Sequence, residues 1–448
     1  MSGELIAITI ISSVVGTVAG LILIWQFVWP LLKRRKTPDP ATTPALEVAC
    51  LVATALRQQL ADYQADLLQA KNRKKRDLFT RGMEAKNASQ YTEAIKLFND
   101  ILSLETTGSE RAALHILLGN CFAEQSSLEE AAKHYHLAQQ AARAANDQQG
   151  LASVLGNLGV ICRQKGKPDT SLEYHRKALQ IHIELNNLLG QALNLGNLGI
   201  ICRQKGELDK ALEYHQRALR IARTIHNRLG EAENLGNLGV ICRQKGELDK
   251  ALEYHRQSLE ICKEIHNRRG EAENLGNLAV IYGQKEDLDK ALDYHSQALE
   301  ISKEIGNKLG QAQNMSKLGV IYRQKGDLDR AFDYHSQALE ISKEIGNKQE
   351  QSLNLGNLGI IYREKGELDK ALDYLQQALE ISKKTNNKLG QAHGLGNLGI
   401  IYREKGELDK ALDYLQQALK TFQEIGVMME IEKTKENIER VLKAREKK

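Results

Sequence analysis

Two columns of potentially reactive side chains recur in this chain at a spacing of forty residues. Cys162, Cys202 and Cys242 share one position, which Tyr282, Tyr322, Tyr362 and Tyr402 occupy further on. His175, His215, His255, His295 and His335 share another, which becomes Leu375 and Leu415. Thiols with imidazoles suggest a metal centre, but zinc needs its ligands about 2.0–2.3 Å from one ion. Equivalent residues on stacked helices lie roughly 8–10 Å apart or more. Both columns therefore read as core-facing packing positions, and no metal or other cofactor is expected. Free, buried Cys suits a reducing cytoplasm, and six Cys in 448 residues is no disulfide framework.

A third column is polar and faces elsewhere. It runs Asn157/Arg163, Asn197/Arg203, Asn237/Arg243, Asn357/Arg363 and Asn397/Arg403, with the fifth slot broken as Asn277/Gly283 and the sixth as Lys317/Arg323. Gly196, Asn197, Ile200, Arg203 and Gln204 step by one, three, three and one. On a helix they share a stripe away from Leu195, Leu198 and Cys202. An Asn amide donates to and accepts from a peptide backbone, and Arg forks onto a carboxylate. A second reading stands beside that one. Duplication of one ancestral unit leaves the same columns, with Asn bonding to neighbouring helix groups and Arg pairing with acids of the preceding unit. Nothing in the sequence offers a nucleophile elbow, phosphate loop, metal-binding His pair or paired acids outside the repeats, so the chain reads as a non-enzyme.

The elements that carry these columns follow from the repeat itself. Leu118-Gly119, Leu158-Gly159, Leu198-Gly199, Leu238-Gly239, Leu318-Gly319, Leu358-Gly359 and Leu398-Gly399 fall on one grid, with Leu278-Ala279 in the remaining slot. Small residues recur twelve positions after each Gly, as at Ala211, and seven further on, as at Ala218. In the unit from Gln191, a first helix running to about Lys205 carries Leu195, Leu198 and Cys202 inward. Gly206 is suited to a left-handed helix end. Glu207 and Asp209 place negative charge at the start of a second helix. That helix turns Leu208, Ala211, Leu212, His215, Ala218, Leu219 and Ile221 inward until Asn227 breaks it. An isolated pair cannot cover its apolar face, so units must stack into an all-α solenoid. About nine units are expected over 75–430, eight of them on the forty-residue period from about 112, with Gly82, Ala94 and Phe98 marking a shorter first unit and a capping helix over 431–448.

The spacing resembles the tetratricopeptide repeat (TPR), whose Leu-Gly, Gly, Ala and Ala slots hold Leu198-Gly199, Gly206, Ala211 and Ala218 here. Leu195 stands in the family's Trp slot and His215 in its second-helix aromatic slot, both departures. The period is similar to the extended subclass of Pins-type adaptors, kinesin light chains and many prokaryotic regulators. The resemblance implies a right-handed superhelical α-solenoid with its first helices lining a concave groove. It puts the Asn and Arg columns inside that groove, where Pins-type adaptors hold extended acidic peptides.

Upstream, Leu5 to Leu32 contains no charged side chain, long enough to span a bilayer of about 30 Å. Trp25, Trp29 and Lys33-Arg34-Arg35-Lys36 follow in the order expected at a cytoplasmic membrane edge. Residues 1–36 are thus expected to form one retained transmembrane helix, amino terminus outside and repeats in the cytoplasm, with the lipid bilayer contacted through 5–32. A Pro-rich tether follows over 37–45 and an amphipathic helix over 46–74. Nine Lys or Arg against five acids in the first 75 residues hold most of the net +5, which leaves the repeats close to neutral and argues against nucleic acid. Three functions fit: a scaffold docking a protein or peptide, a self-associating homo-oligomer in a membrane assembly, and a regulatory arm for an enzyme encoded elsewhere.

Overall fold

The computed structural model describes residues 73–104 and 106–446. The apolar span 5–32, the tether 37–45 and all but the end of the helix read over 46–74 lie outside the described residues. Among the described residues there are nineteen α-helices and no strand, and no helix is long and apolar enough to cross a membrane.

The first pair, Arg73–Asn87 and Tyr91–Leu102, is the shortest. From Gly108 to Glu404, helices of seventeen residues alternate at a fixed interval, as in Leu188–Gln204 with Leu208–Thr224 and Arg228–Gln244 with Leu248–Glu264. Two kinds of turn keep this register. Between first and second helix the chain passes through a left-handed residue, Gly206 at φ +78° and Gly246 at +79°. Glu286, at φ +62°, takes that conformation without glycine's freedom. Between units the left-handed residue is Asn186, His226 or Gly306. The asparagine that follows caps the next helix: Asn227 Oδ1 accepts from Gly230 N at 2.9 Å and Asn387 Oδ1 from Gly390 N at 3.0 Å. Asn227 therefore opens a helix rather than breaking one, a correction to the reading from sequence. Such a cap stabilises by about 1 kcal/mol.

Two compact units divide the chain between Gly270 and Glu271, inside the helix Arg268–Gln284. In the first, Leu172, Leu198, Ile201, Cys202, Ala211 and Ile241 form one apolar cluster drawn from three successive repeats. In the second, Leu339, Leu355, Leu358 and Ala378 do the same for two. The last helix, Met428–Glu446, covers Ala411 and Leu415 with Val441. The buried stripe of Leu208–Thr224 keeps most of the expected one and adds Ala222, with Leu208 and Leu212 packed partly buried against the core. Ala211, His215, Ala218, Leu219 and Ala222 are buried, whereas Leu208, Leu212 and Ile221 stay partly exposed.

Lys–Asp pairs tie each unit to the one before, with Lys205–Asp169 at 2.6 Å, Lys245–Asp209 at 2.5 Å and Lys365–Asp329 at 2.6 Å. Their acids are 81–90% exposed, so each pair contributes about 0–1 kcal/mol. Apolar burial and the polar contacts between units described next must carry the stacking.

Candidate peptide-binding face

In Leu188–Gln204, Leu195, Leu198 and Cys202 are buried, while Gly196, Asn197, Ile200 and Arg203 are half-buried and Gln204 is exposed. The helix thus presents the stripe expected from spacing, and the equivalents Asn157, Asn237, Asn277, Asn357 and Asn397 are half-buried too. Lys317, in the sixth slot, is exposed.

The asparagines are partly spoken for. Asn197 Nδ2 donates to Leu193 O at 3.0 Å, Asn237 Nδ2 to Glu233 O at 3.0 Å and Asn357 Nδ2 to Leu353 O at 3.1 Å. A carbonyl only accepts, so the amide nitrogen must face it, which leaves Oδ1 outward. Asn157 instead donates to Asn120 Oδ1 at 3.4 Å. Bonding to helix groups is what the duplication reading expected of these residues. The outward acceptor is what the face retains for a ligand N–H.

The arginines differ between the two units. Before Gly270, the Nε–H groups of Arg163, Arg203 and Arg243 are buried without a hydrogen-bond partner. Burial first, and then the charge of Arg243, holds the Arg203 guanidinium below its ordinary pKa. Beyond Gly270, Arg323 Nη1 donates to Glu364 Oε1 at 2.8 Å, Arg363 Nη2 lies 4.0 Å from the same oxygen, and Arg403 Nη2 lies 3.8 Å from Glu404 Oε1. Glu364 belongs to the unit following Arg323, not the preceding one. Gly283 leaves the fifth slot without a cation.

The His column is structural glue between units. His175, His215, His295 and His335 each place Nδ1 2.9 Å from an amide oxygen, of Asn194, Asn234, Asn314 and Asn354 in turn. Asn194 Nδ2 already donates to Gly190 O at 2.8 Å, so its Oδ1 must accept. The imidazole therefore carries its proton on Nδ1 and is neutral. Burial pushes His175, His295 and His335 down to about 4. The Gly of Leu-Gly seats His175, His215 and His335, a Cβ on Gly199 falling 2.5 Å from the His215 ring, while Ala279 fills that slot ahead of His295. The Asn194 column escaped the reading from sequence. Its signal was present, because where His becomes Leu375 the partner slot changes from Asn to Gly394.

Cys162, Cys202 and Cys242 are free thiols whose pKa burial raises, the opposite of an activated nucleophile. Among the described residues no group of three His, Cys, Asp or Glu could hold a metal ion. Beyond Gly270 the Tyr substituted for Cys stacks on a second-helix Tyr, Tyr322 on Tyr334 at 5.4 Å and Tyr402 on Tyr414 at 5.3 Å. Arg330 and Lys410 lie over Tyr322 and Tyr402 at 4.5 and 5.2 Å.

Among solved structures the fold is similar to several solenoids. A signal-transduction ATPase with numerous domains and a tetratricopeptide repeat sensor, from Pyrococcus horikoshii, is 17% identical with a TM-score of 0.60, over 81% of this chain and 55% of that one. The apo quorum sensor NprR from B. thuringiensis is 12% identical with a TM-score of 0.58, over 78% and 98%. A Rap protein complexed with Competence and Sporulation Factor is 17% identical with a TM-score of 0.52, over 82% and 99%. At these identities the likeness is one of fold. No curated protein matches the sequence. The tetratricopeptide repeat profile matches residues 110–184, 189–264, 270–344 and 350–424, four spans that each take in two helix pairs. Together they cover well over half of the residues, and the chain belongs to the tetratricopeptide repeat family.

Proposed function

We propose that this chain is a membrane-anchored, non-enzymatic scaffold whose first-helix face holds an extended, acidic segment of a partner protein. Interaction through stacked repeats is the general use of the family; the acidic ligand, the groove and the anchor are the finer parts of the reading. One observation carries it: Arg163, Arg203 and Arg243 form a column of half-buried guanidinium groups with buried, unpartnered N–H donors. A carboxylate accepts from such donors through charge-assisted bonds worth about 1.5–3 kcal/mol each. The outward Oδ1 atoms of Asn197 and Asn237 add acceptors for main-chain N–H groups. In the same reading the apolar run 5–32 anchors the chain, with its amino terminus outside and the repeats in the cytoplasm.

Affinity capture from membranes with the full chain, wild type against Arg203→Glu/Arg243→Glu, tests the face. The charge reversal should empty it of its partner while circular dichroism stays unchanged. An identical bound-protein profile from a folded variant would end the proposal. External protease that digests the repeats in intact cells would overturn the topology.

A further inference from the structure

We propose that the anionic part of the partner docks on Arg163, Arg203 and Arg243 alone, and that the arginines beyond Gly270 are held out of acid recognition by the chain's own glutamates. The inference rests on the acidic-segment reading above and divides its site in two.

The division is chemical. Before Gly270, the residue following each arginine is Gln164, Gln204 or Gln244, whose amide adds a donor and no charge. Beyond it, Gln284 and Gln324 keep the amide and the last two units place Glu364 and Glu404 in that slot. Glu364 takes a 2.8 Å bond from Arg323 and lies 4.0 Å from Arg363, while Glu404 lies 3.8 Å from Arg403. These side chains are only 25–34% exposed, so water screens the pairs less than at an open surface. An incoming carboxylate would have to displace an acid already in place, and it would meet that acid's charge.

Arg163, Arg203 and Arg243 face no such competitor. Among the described residues no carboxylate pairs with them, and each buries an Nε–H that nothing accepts; Arg323 shares that orphaned Nε–H but already donates through Nη1 to Glu364. Arg203 and Arg243 also feel one another as like charges. An anion seated on the column relieves that repulsion and supplies the missing acceptors together. The two halves of the ladder look alike in residue type and differ in what is left over for a ligand.

The test uses the full-length chain in nonionic detergent and a fluorescein-labelled decaglutamate peptide, with a Gly-Ser peptide of equal length as the neutral control. Anisotropy at low salt should show decaglutamate binding that weakens as salt is added. Arg203→Glu/Arg243→Glu should lose binding by at least about tenfold, since each 1.4 kcal/mol is tenfold. Arg363→Glu/Arg403→Glu should stay within about twofold. Glu364→Gln/Glu404→Gln, which frees those arginines, should tighten binding. If both arginine pairs cost the same, or the Gln variant gains nothing, the division is wrong while the acidic-segment reading stands. If wild type does not bind decaglutamate above the neutral control, both fall.

Discussion

The His–Asn contacts between units make acid lability a measurable property of this solenoid. His335 is fully buried, its Nδ1–H donates to Asn354 Oδ1 at 2.9 Å, and burial holds its pKa at about 4. In the unfolded chain the value is about 6.5. The unfolded state therefore binds the proton first as pH falls. The stability the neutral ring contributes is complete above about pH 6.5 and is lost progressively towards pH 4. At pH 5 the loss is about 2 kcal/mol for this one residue. Groups that face the ring are Arg323, which opposes protonation, and Asn354. The perturbation is His335→Leu with Asn354→Gly, the pair the chain itself uses at Leu375 and Gly394. Replacing both partners leaves no orphaned donor or acceptor, so the cost at pH 7 should be about 1 kcal/mol, mainly glycine's helix penalty. Urea unfolding followed by circular dichroism at pH 7 and pH 5 reads the difference. Wild type should lose about 2 kcal/mol more than the double variant between the two pH values. An equal loss in both would refute the reasoning, because the titrating group would then lie elsewhere.

Further outcomes follow from single positions. Asn354→Ala alone strands the buried His335 N–H and should cost about 1–3 kcal/mol at pH 7 by the same urea assay. Glu286→Gly relieves a left-handed backbone at φ +62° and should stabilise by about 1 kcal/mol, raising the thermal midpoint. Gly199→Ala must push a Cβ to 2.5 Å from the His215 ring and should destabilise, whereas Gly356→Ala meets open space and should stabilise by roughly 0.5–1 kcal/mol. A shared sign for the two glycine variants in thermal melts would refute the packing account. Lys365→Ala removes a pair whose acid, Asp329, is 90% exposed, and should change stability by less than about 1 kcal/mol.

Most of the fold was legible because its rules are local and repeated. Glycine at Gly206, alanine at Ala211 and Ala218, and leucine-glycine at Leu198-Gly199 each answer to one steric demand. The errors fell where one residue type serves two ends. Asn227 follows a left-handed residue, His226, so it closes the turn and caps the next helix at once; periodicity marks the place without saying which side it belongs to. The second helix was read one residue out of phase at its end, with Ile221 inward in place of Ala222. That slot faces the next unit's first helix and is buried whether it holds His182, Ala222, Cys262, Ser302 or Phe422.

The candidate face was legible as a pattern and not as a resource. Type and spacing put Asn197 and Arg203 on one stripe, and that stripe is where the helix leaves them. What a ligand could use is the remainder after neighbours have taken their share, and those neighbours lie one, four or forty-one positions away. Asn197 commits one of its two N–H donors to Leu193 O, so the column offers less than its type promised. Arg323 meets Glu364 across forty-one positions, a pairing no motif announces. The chain's own departures from its repeat were the better guide. Gln244 becoming Glu364 in the slot after the arginine marks which cations are already satisfied, as Asn354 becoming Gly394 marks which histidine is gone. In an array of near-copies, the shared slots hold the units together, and the altered slots mark where the chain's own pairing changes along the array.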